Sequence, residues 1–280
     1  MKKWMGLAIV ALISISFSSC GPKKPMEKSA VLVVSFGTSF PETRKVTIEA
    51  LEKQFADEFS GWDIKRAFTS SIIRKVIKKK EGVDILSPAE MLDQLAKDGY
   101  KNVIVQSTHI SLGAEYNDMK KVAESKKSLF KSLKIGKALL DTDEDYKNTA
   151  KALQSQFPAG TVVMMGHGNE HHPEYNKTYT KLQKIFDDMK KPVHIGLVEG
   201  EPGVDHVIAR LKKAGVKEVT LMPFMVVAGD HANNDMASDE DDSWKTMLTK
   251  AGIKVNIYLH GIGENKEIRD LYIAHAKEAK

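Results

Sequence analysis

Leu221-Met222-Pro223-Phe224-Met225-Val226-Val227-Ala228-Gly229-Asp230-His231-Ala232-Asn233-Asn234-Asp235-Met236 is an apolar run that turns polar at Gly229. Val219 to Val227 reads as a buried strand, with Asp230 and His231 just past its carboxyl end. Open α/β sheets bind ligands at that edge, where strands stop and loops carry polar groups. Val162-Val163-Met164-Met165-Gly166-His167-Gly168 repeats the pattern, and Val193-His194-Ile195-Gly196-Leu197-Val198 ends at Glu199. Two imidazoles and a carboxylate at strand exits are donors suited to a borderline metal with open positions. His167, Glu199 and His231 follow one another at intervals of 32 residues. That interval fits one strand–helix–strand step, so neighbouring strands would bring them together.

Outward from these strands, apolar runs alternate with helix-like patterns, which predicts a parallel sheet covered on both faces. Strands are expected at Ala30–Phe36, Trp62–Phe68, Val103–Gln106 and Leu133–Lys137, then at Thr161–Met165, Val193–Val198, Val219–Val227 and Ile253–Leu259. Helices are expected from Pro41 to Phe59, Ser70 to Lys80, Pro88 to Lys97 and Asp118 to Leu129. The second half should add Glu174–Lys190, Val204–Ala214, Ser238–Lys250 and Glu264–Lys277, with Ser238 as a cap and Asp239 to Asp242 at the positive helix end.

The halves match in detail. Gly99-Tyr100-Lys101-Asn102-Val103 aligns with Gly215-Val216-Lys217-Glu218-Val219 at an offset of 116. Gly113 then falls on Gly229, Asn117-Asp118-Met119 on Asn234-Asp235-Met236 after a one-residue slip, and Gly37 corresponds to Gly168. The expected fold is α/β, with two similar lobes, each a parallel sheet flanked by helices, and a cleft between them. Residues 30–140 form the first lobe and 141–280 the second, which carries the metal site.

Residues 1–19 read as a signal peptide. Lys2 and Lys3 precede the short apolar run Trp4 to Phe17, and Ser18-Ser19 lead into Cys20, the single cysteine of the chain. This predicts acylation of Cys20, membrane attachment through it, a flexible tether over 20–29, and a place in the bacterial cell envelope. Without Lys2 and Lys3 the formal charge falls by two from +5. So mild a charge argues against nucleic acid as a partner. Oligomeric state is open.

Glycines on both sides of His167 leave room for backbone or substrate to approach. His171 and His172 are rim residues, His109 ends the matching strand of the first lobe, and His194 and His206 read as structural. Gly37-Thr38-Ser39 before a helix resembles a weak anion cradle. It lacks the lysine and spacing of a phosphate-binding loop, so no nucleotide is expected, and no nucleophile elbow is present.

Val33-Val34-Ser35-Phe36-Gly37-Thr38-Ser39, Arg66-Ala67-Phe68-Thr69-Ser70, Gly166-His167-Gly168, Val198-Glu199 and Ala228-Gly229-Asp230-His231-Ala232 with Asn234-Asp235-Met236-Ala237-Ser238-Asp239 resemble the anaerobic sirohydrochlorin cobaltochelatase family. These are class II chelatases related in fold to ferrochelatase. The resemblance implies two α/β lobes around a tetrapyrrole, with two histidines and a glutamate binding the metal; these fall on His167, Glu199 and His231. It implies Co²⁺ first, though Fe²⁺, Ni²⁺ and Zn²⁺ accept the same donors. Candidate ring contacts are Ser35, Phe36, Gly37, Thr38, His109, Gly166 and Gly229, with Phe36, Phe40, Met222, Phe224 and Met225 along the ring faces. An exported chain stands apart from the cytoplasmic supply of sirohydrochlorin. A lipoprotein that binds haem or another tetrapyrrole for uptake or iron removal is therefore the alternative, and a metal carrier without a ring the third reading.

Overall fold

The computed structural model describes residues 27–280 together with Met1. The expected signal peptide, Cys20 and most of the tether lie outside the described residues.

The first half runs β1 (Ser29–Ser35), α1 (Pro41–Arg44), a π-helical turn (Lys45–Glu49), α2 (Ala50–Glu58), β2 (Asp63–Phe68), α3 (Ser71–Glu81), α4 (Pro88–Lys97), β3 (Asn102–Ser107), α5 (Ala114–Ser125) and β4 (Ser132–Ile135). The second runs α6 (Asp143–Gln154), β5 (Val162–Gly168), α7 (Lys177–Asp188), β6 (Val193–Glu199), α8 (Val204–Lys213), β7 (Glu218–Pro223), α9 (Trp244–Lys250), β8 (Lys254–Ile257) and α10 (Lys266–Ala279).

The strands make two four-stranded sheets, ordered β2-β1-β3-β4 and β6-β5-β7-β8. Every pairing is parallel. The central strands β1 and β5 explain why: Ala30 to Val34 and Val162 to Met165 are buried without alternation, as strands covered on both faces must be. The sheet order is the same in both halves, and the backbone repeats it. Gly37 and Gly168, after or at the ends of β1 and β5, have φ of 102° and 81°, and Gly99 and Gly215, before β3 and β7, have 83° and 69°. These left-handed values favour glycine.

The halves share one hydrophobic core. Val31 and Val33 of β1, Met164 of β5, Phe224 and Tyr272 belong to the same buried cluster. Helix α10 packs on α2, α6 and β3, returning the end of the chain to the first sheet. The buried Tyr272 hydroxyl donates to the Thr108 carbonyl at 2.8 Å. His275 Nε2 meets Asp145 Oδ1 at 3.0 Å, which ties α10 to α6. Each such large side chain contributes about 1.5–3 kcal/mol on burial.

The carboxyl ends of the two sheets face each other. Thr43 Oγ1, beyond β1, donates to the Ala228 carbonyl beyond β7 at 3.5 Å. Asn117 Nδ2 on α5 reaches the Tyr175 hydroxyl beyond β5 at 3.5 Å.

Four elements depart furthest from expectation. Helix α6 was not foreseen; its polar sequence hides it, although Thr142 and Asp145 form a full capping box at its start. Strand β7 stops at Pro223 instead of Val227. Beyond Phe224 the chain leaves the sheet, and the Met225 and Val226 carbonyls accept the N–H groups of Ile262 and Gly263 at 2.9 Å each. Helix α5 begins at Ala114, not Asp118, with Gly113 as N-cap. Helix α9 begins at Trp244, capped by Ser243 rather than Ser238. Ser238 caps a turn by accepting the Glu240 N–H. Asp239 and Asp241 pair with Lys245 and Lys250 at 2.6 and 2.7 Å, so they do not crown a helix start.

Candidate metal centre

His167, Glu199 and His231 converge. Each offers one ligand atom, and the three atoms all lie within 4.8 Å of one another. Ligands of one ion in tetrahedral array with bonds of about 2.1 Å stand about 3.4 Å apart. The remaining closure is within the reach of small side-chain rotations. The side chains are neither sealed nor fully solvated, with exposures of 45, 43 and 37 %. An incoming ion can therefore reach them.

Strand register brings the first two together. Gly168 is paired with Glu199 across β5 and β6, so the neighbouring His167 reaches the carboxylate, Nδ1 to Oε2, at 3.8 Å. The same Nδ1 lies 2.9 Å from the Gly168 carbonyl. A carbonyl only accepts, so Nδ1 carries the hydrogen and Nε2 keeps its lone pair for a ligand. His231 precedes a π-helical turn, Ala232–Met236. Its ring stands edge-on to that of His167, with centroids 4.7 Å apart. Its Nδ1 meets Asp235 Oδ2 at 2.7 Å.

The glycines around His167 make room for protein, not for substrate. A β-carbon on Gly166 would lie 2.6 Å from the Tyr179 ring, and one on Gly168 would overlap the Glu199 carbonyl oxygen. Tyr179 is buried beneath the turn. Burial pushes its phenol up to about 12, against the pull of the nearby Gly168 and His167 N–H groups. Asn176 performs a similar service beside Glu199: its Nδ2 donates to the Asn169 carbonyl at 3.2 Å and lies where a side chain on Gly200 would be. No functional role for Tyr179, Asn176 or Asp235 follows from composition or strand endings alone. Of these only Asp235 left a local signal, four residues after a histidine on one helical face.

Other expected contacts separate into two groups. Phe36 and Phe40 are exposed beyond β1, as is Leu112 beyond β3, and they offer apolar surface at the mouth. Ser35 and Thr38 are buried, which removes them from reach of a ring. Ser35 accepts from Thr108 Oγ1 at 3.0 Å, and Thr38 Oγ1 accepts the Phe40 N–H at 3.2 Å, filling the supposed anion cradle from within. Gly37 is kept bare by Phe68, 2.5 Å from where its β-carbon would be. Gly229 is open, its nearest neighbours being Val227 and Thr38. Met222 and Phe224 are core residues and line no ring face, and Met225 packs partly against the buried cluster of Val163, Met165 and Trp244.

His109 does not join the trio. Its ring nitrogens engage Ser107 Oγ at 2.7 Å and Glu115 Oε2 at 3.1 Å. His171 and His172 are exposed, with His172 Nδ1 3.3 Å from Glu174. His194 lies within β6, and His206 is exposed on α8.

The repeat makes the two halves chemically unequal. Aligning Gly37 with Gly168 places Phe36 at the position of His167. The exit of β1 thus shows an aromatic face where the exit of β5 shows an imidazole.

Residues 29–280 match the family model described as Cobalt chelatase (CbiK). The chain is 41 % identical over 256 residues to a sirohydrochlorin cobaltochelatase of Salmonella typhimurium, covering 90 % of this chain and 96 % of that one. It is 32 % identical over 277 residues to sirohydrochlorin cobaltochelatase CbiKC of Nitratidesulfovibrio vulgaris, covering 94 % and 95 %. Among solved structures, SirB from Bacillus subtilis with Fe³⁺ shares the fold at a TM-score of 0.62 and 14 % identity, covering 90 % of this chain and 95 % of that one.

Proposed function

Because the chain belongs to the cobalt chelatase (CbiK) family, we propose that it inserts Co²⁺ into sirohydrochlorin, with His167, Glu199 and His231 as the residues that receive the ion. The observation that carries this reading is the convergence of those three donors at the facing strand exits. Two imidazoles and one carboxylate hold a divalent first-row ion while leaving positions open for pyrrole nitrogens. A closed four-ligand site would trap the ion instead.

The reaction exchanges one Co²⁺ for two pyrrole N–H protons. Nε2 of each imidazole takes the place of a water on the ion. Glu199 balances the charge of the ion and accepts a proton from the ring, a role that suits a half-exposed carboxylate beside an imidazole. The second proton leaves to solvent. Phe36, Phe40 and Leu112 give the ring an apolar surface on the first lobe, so its flat face packs on one half while its nitrogens turn to the other.

Envelope attachment through acylated Cys20 belongs to the same proposal, supported by the basic, apolar and small-residue order of the leader. Mass spectrometry of the mature amino terminus tests it: a lipid-modified Cys20 is expected, and an intact Met1 overturns it.

The activity itself is tested by mixing the protein, free of oxygen, with sirohydrochlorin and Co²⁺. The absorbance of the free ring should decay into that of its cobalt complex faster than without protein. Rates equal to the protein-free control overturn the reading.

A further inference from the structure

We infer that Asp235 is a positioning residue for His231, fixing which ring nitrogen faces the ion and making this imidazole the stronger of the two donors. The inference deepens the metal reading above and rests on it. Its basis is the contact of Asp235 Oδ2 with His231 Nδ1 at 2.7 Å. A carboxylate only accepts, so Nδ1 must carry the hydrogen, and Nε2 is left with its lone pair.

The backbone builds this contact. The π-helical turn after His231 puts residue 235 on the same face, one turn on. Its neighbours hold the turn wound: Asn233 Nδ2 donates to the Gly229 carbonyl at 2.7 Å, and Asn234 Nδ2 donates to Asp230 Oδ1 at 2.9 Å. Each long polar side chain in this stretch is thus occupied, and Asp235 alone among them is spent on an imidazole.

The two imidazoles have unlike partners. His167 gives its Nδ1 hydrogen to a neutral carbonyl, that of Gly168, and His231 gives its own to a carboxylate. A charged acceptor makes the opposite nitrogen more basic, and losing such a partner costs about 10–100-fold in metal affinity. His231 is therefore the end of the site that grips the ion, and His167 the end that yields when the ring takes it.

The test compares Asp235→Ala and Asp235→Asn with the unaltered full chain. Nitrogen-15 spectra of the metal-free protein at pH 8 read the tautomer of His231, and Co²⁺ titration followed by d–d absorbance reads affinity. Asp235→Ala should shift His231 toward the Nε2–H form and weaken Co²⁺ binding by about 10–100-fold, with an unchanged circular dichroism melt. Asp235→Asn, which keeps an accepting oxygen, should restore the tautomer and recover part of the affinity. An Asp235→Ala protein with unaltered tautomer and affinity overturns the inference. So does an Asp235→Asn protein that keeps the tautomer yet binds as weakly as Asp235→Ala, because Asp235 would then be a ligand itself. If the unaltered protein takes no Co²⁺, the metal reading fails, and the tautomer measurement still decides the positioning role.

Discussion

Gly168 and Glu199 face each other across β5 and β6 so closely that a β-carbon on Gly168 would overlap the Glu199 carbonyl oxygen. The side chains of His167 and Glu199 come within 3.8 Å of each other because the backbones that carry them are paired. Gly168→Ala should therefore strain a backbone at φ 81° and prise the two strands apart. The left-handed conformation alone costs about 1–2 kcal/mol. A lowered melting temperature together with at least tenfold weaker Co²⁺ binding is expected from calorimetry and metal titration. Unaltered values for both would mean the strand exits can widen freely.

His231→Ala should abolish cobalt insertion and leave the fold in place, since the side chain is partly exposed and supports no core. Glu199→Gln keeps the shape and gives up the charge and the proton acceptance. It should bind Co²⁺ more weakly and insert it about 10²-fold more slowly or worse, as loss of a proton acceptor does. Rates are read by the decay of free-ring absorbance and the fold by circular dichroism. Full activity in His231→Ala would refute the assignment of the site.

Tyr179→Phe keeps the ring that fills the space beside Gly166 but removes the buried hydroxyl close to the His167 and Gly168 N–H groups. A polar contact of this kind is worth about 0.5–1.5 kcal/mol. A loss of that size should appear in denaturant unfolding, accompanied by weaker Co²⁺ binding as the His167 turn loosens. Stability lost with metal affinity intact would confine Tyr179 to the core.

His194 should give the protein an acid-sensitive component. Burial, aided by the Arg210 guanidinium, pushes its imidazole down to about 4, and its Nδ1 is buried without a partner. The unfolded chain takes up this proton near the ordinary value of about 6.5. Between those values the unfolded state binds more protons, so stability falls as pH drops from about 6.5 to 4 and levels off below. Melting temperatures across that window should decline less in His194→Gln than in the unaltered protein. Parallel curves would show that His194 takes no part.

The trio was legible because strand ends are written locally. An apolar run that breaks at glycine announces where the chain leaves the sheet; the equal spacing of His167, Glu199 and His231 suggested successive neighbouring strands, which holds for β5 and β6, while β7 pairs with β5 on its other side. The sheet repeat was legible for the same reason. What supports the trio was hidden, because Tyr179 and Asn176 act through contacts that exist only once β5, β6 and α7 are packed. Ser35 and Thr38 misled in the opposite sense: small polar residues at a strand exit suggested a ligand contact, while their hydroxyls are spent on Thr108 and Phe40. Helix α6 is hidden because its polar sequence lacks a clear apolar periodicity, and its clearest mark is the cap at Thr142.

Strand polarity has one more effect. The chain enters β1 at Ser29, the rear of the first sheet, and Phe36 emerges at its front, a run of seven residues or about 23 Å. Anything fastened ahead of Ser29 therefore pulls from behind. A lipid on Cys20, as proposed above, would then hold the body from the rear of this sheet and leave the strand exits turned away from the point of attachment.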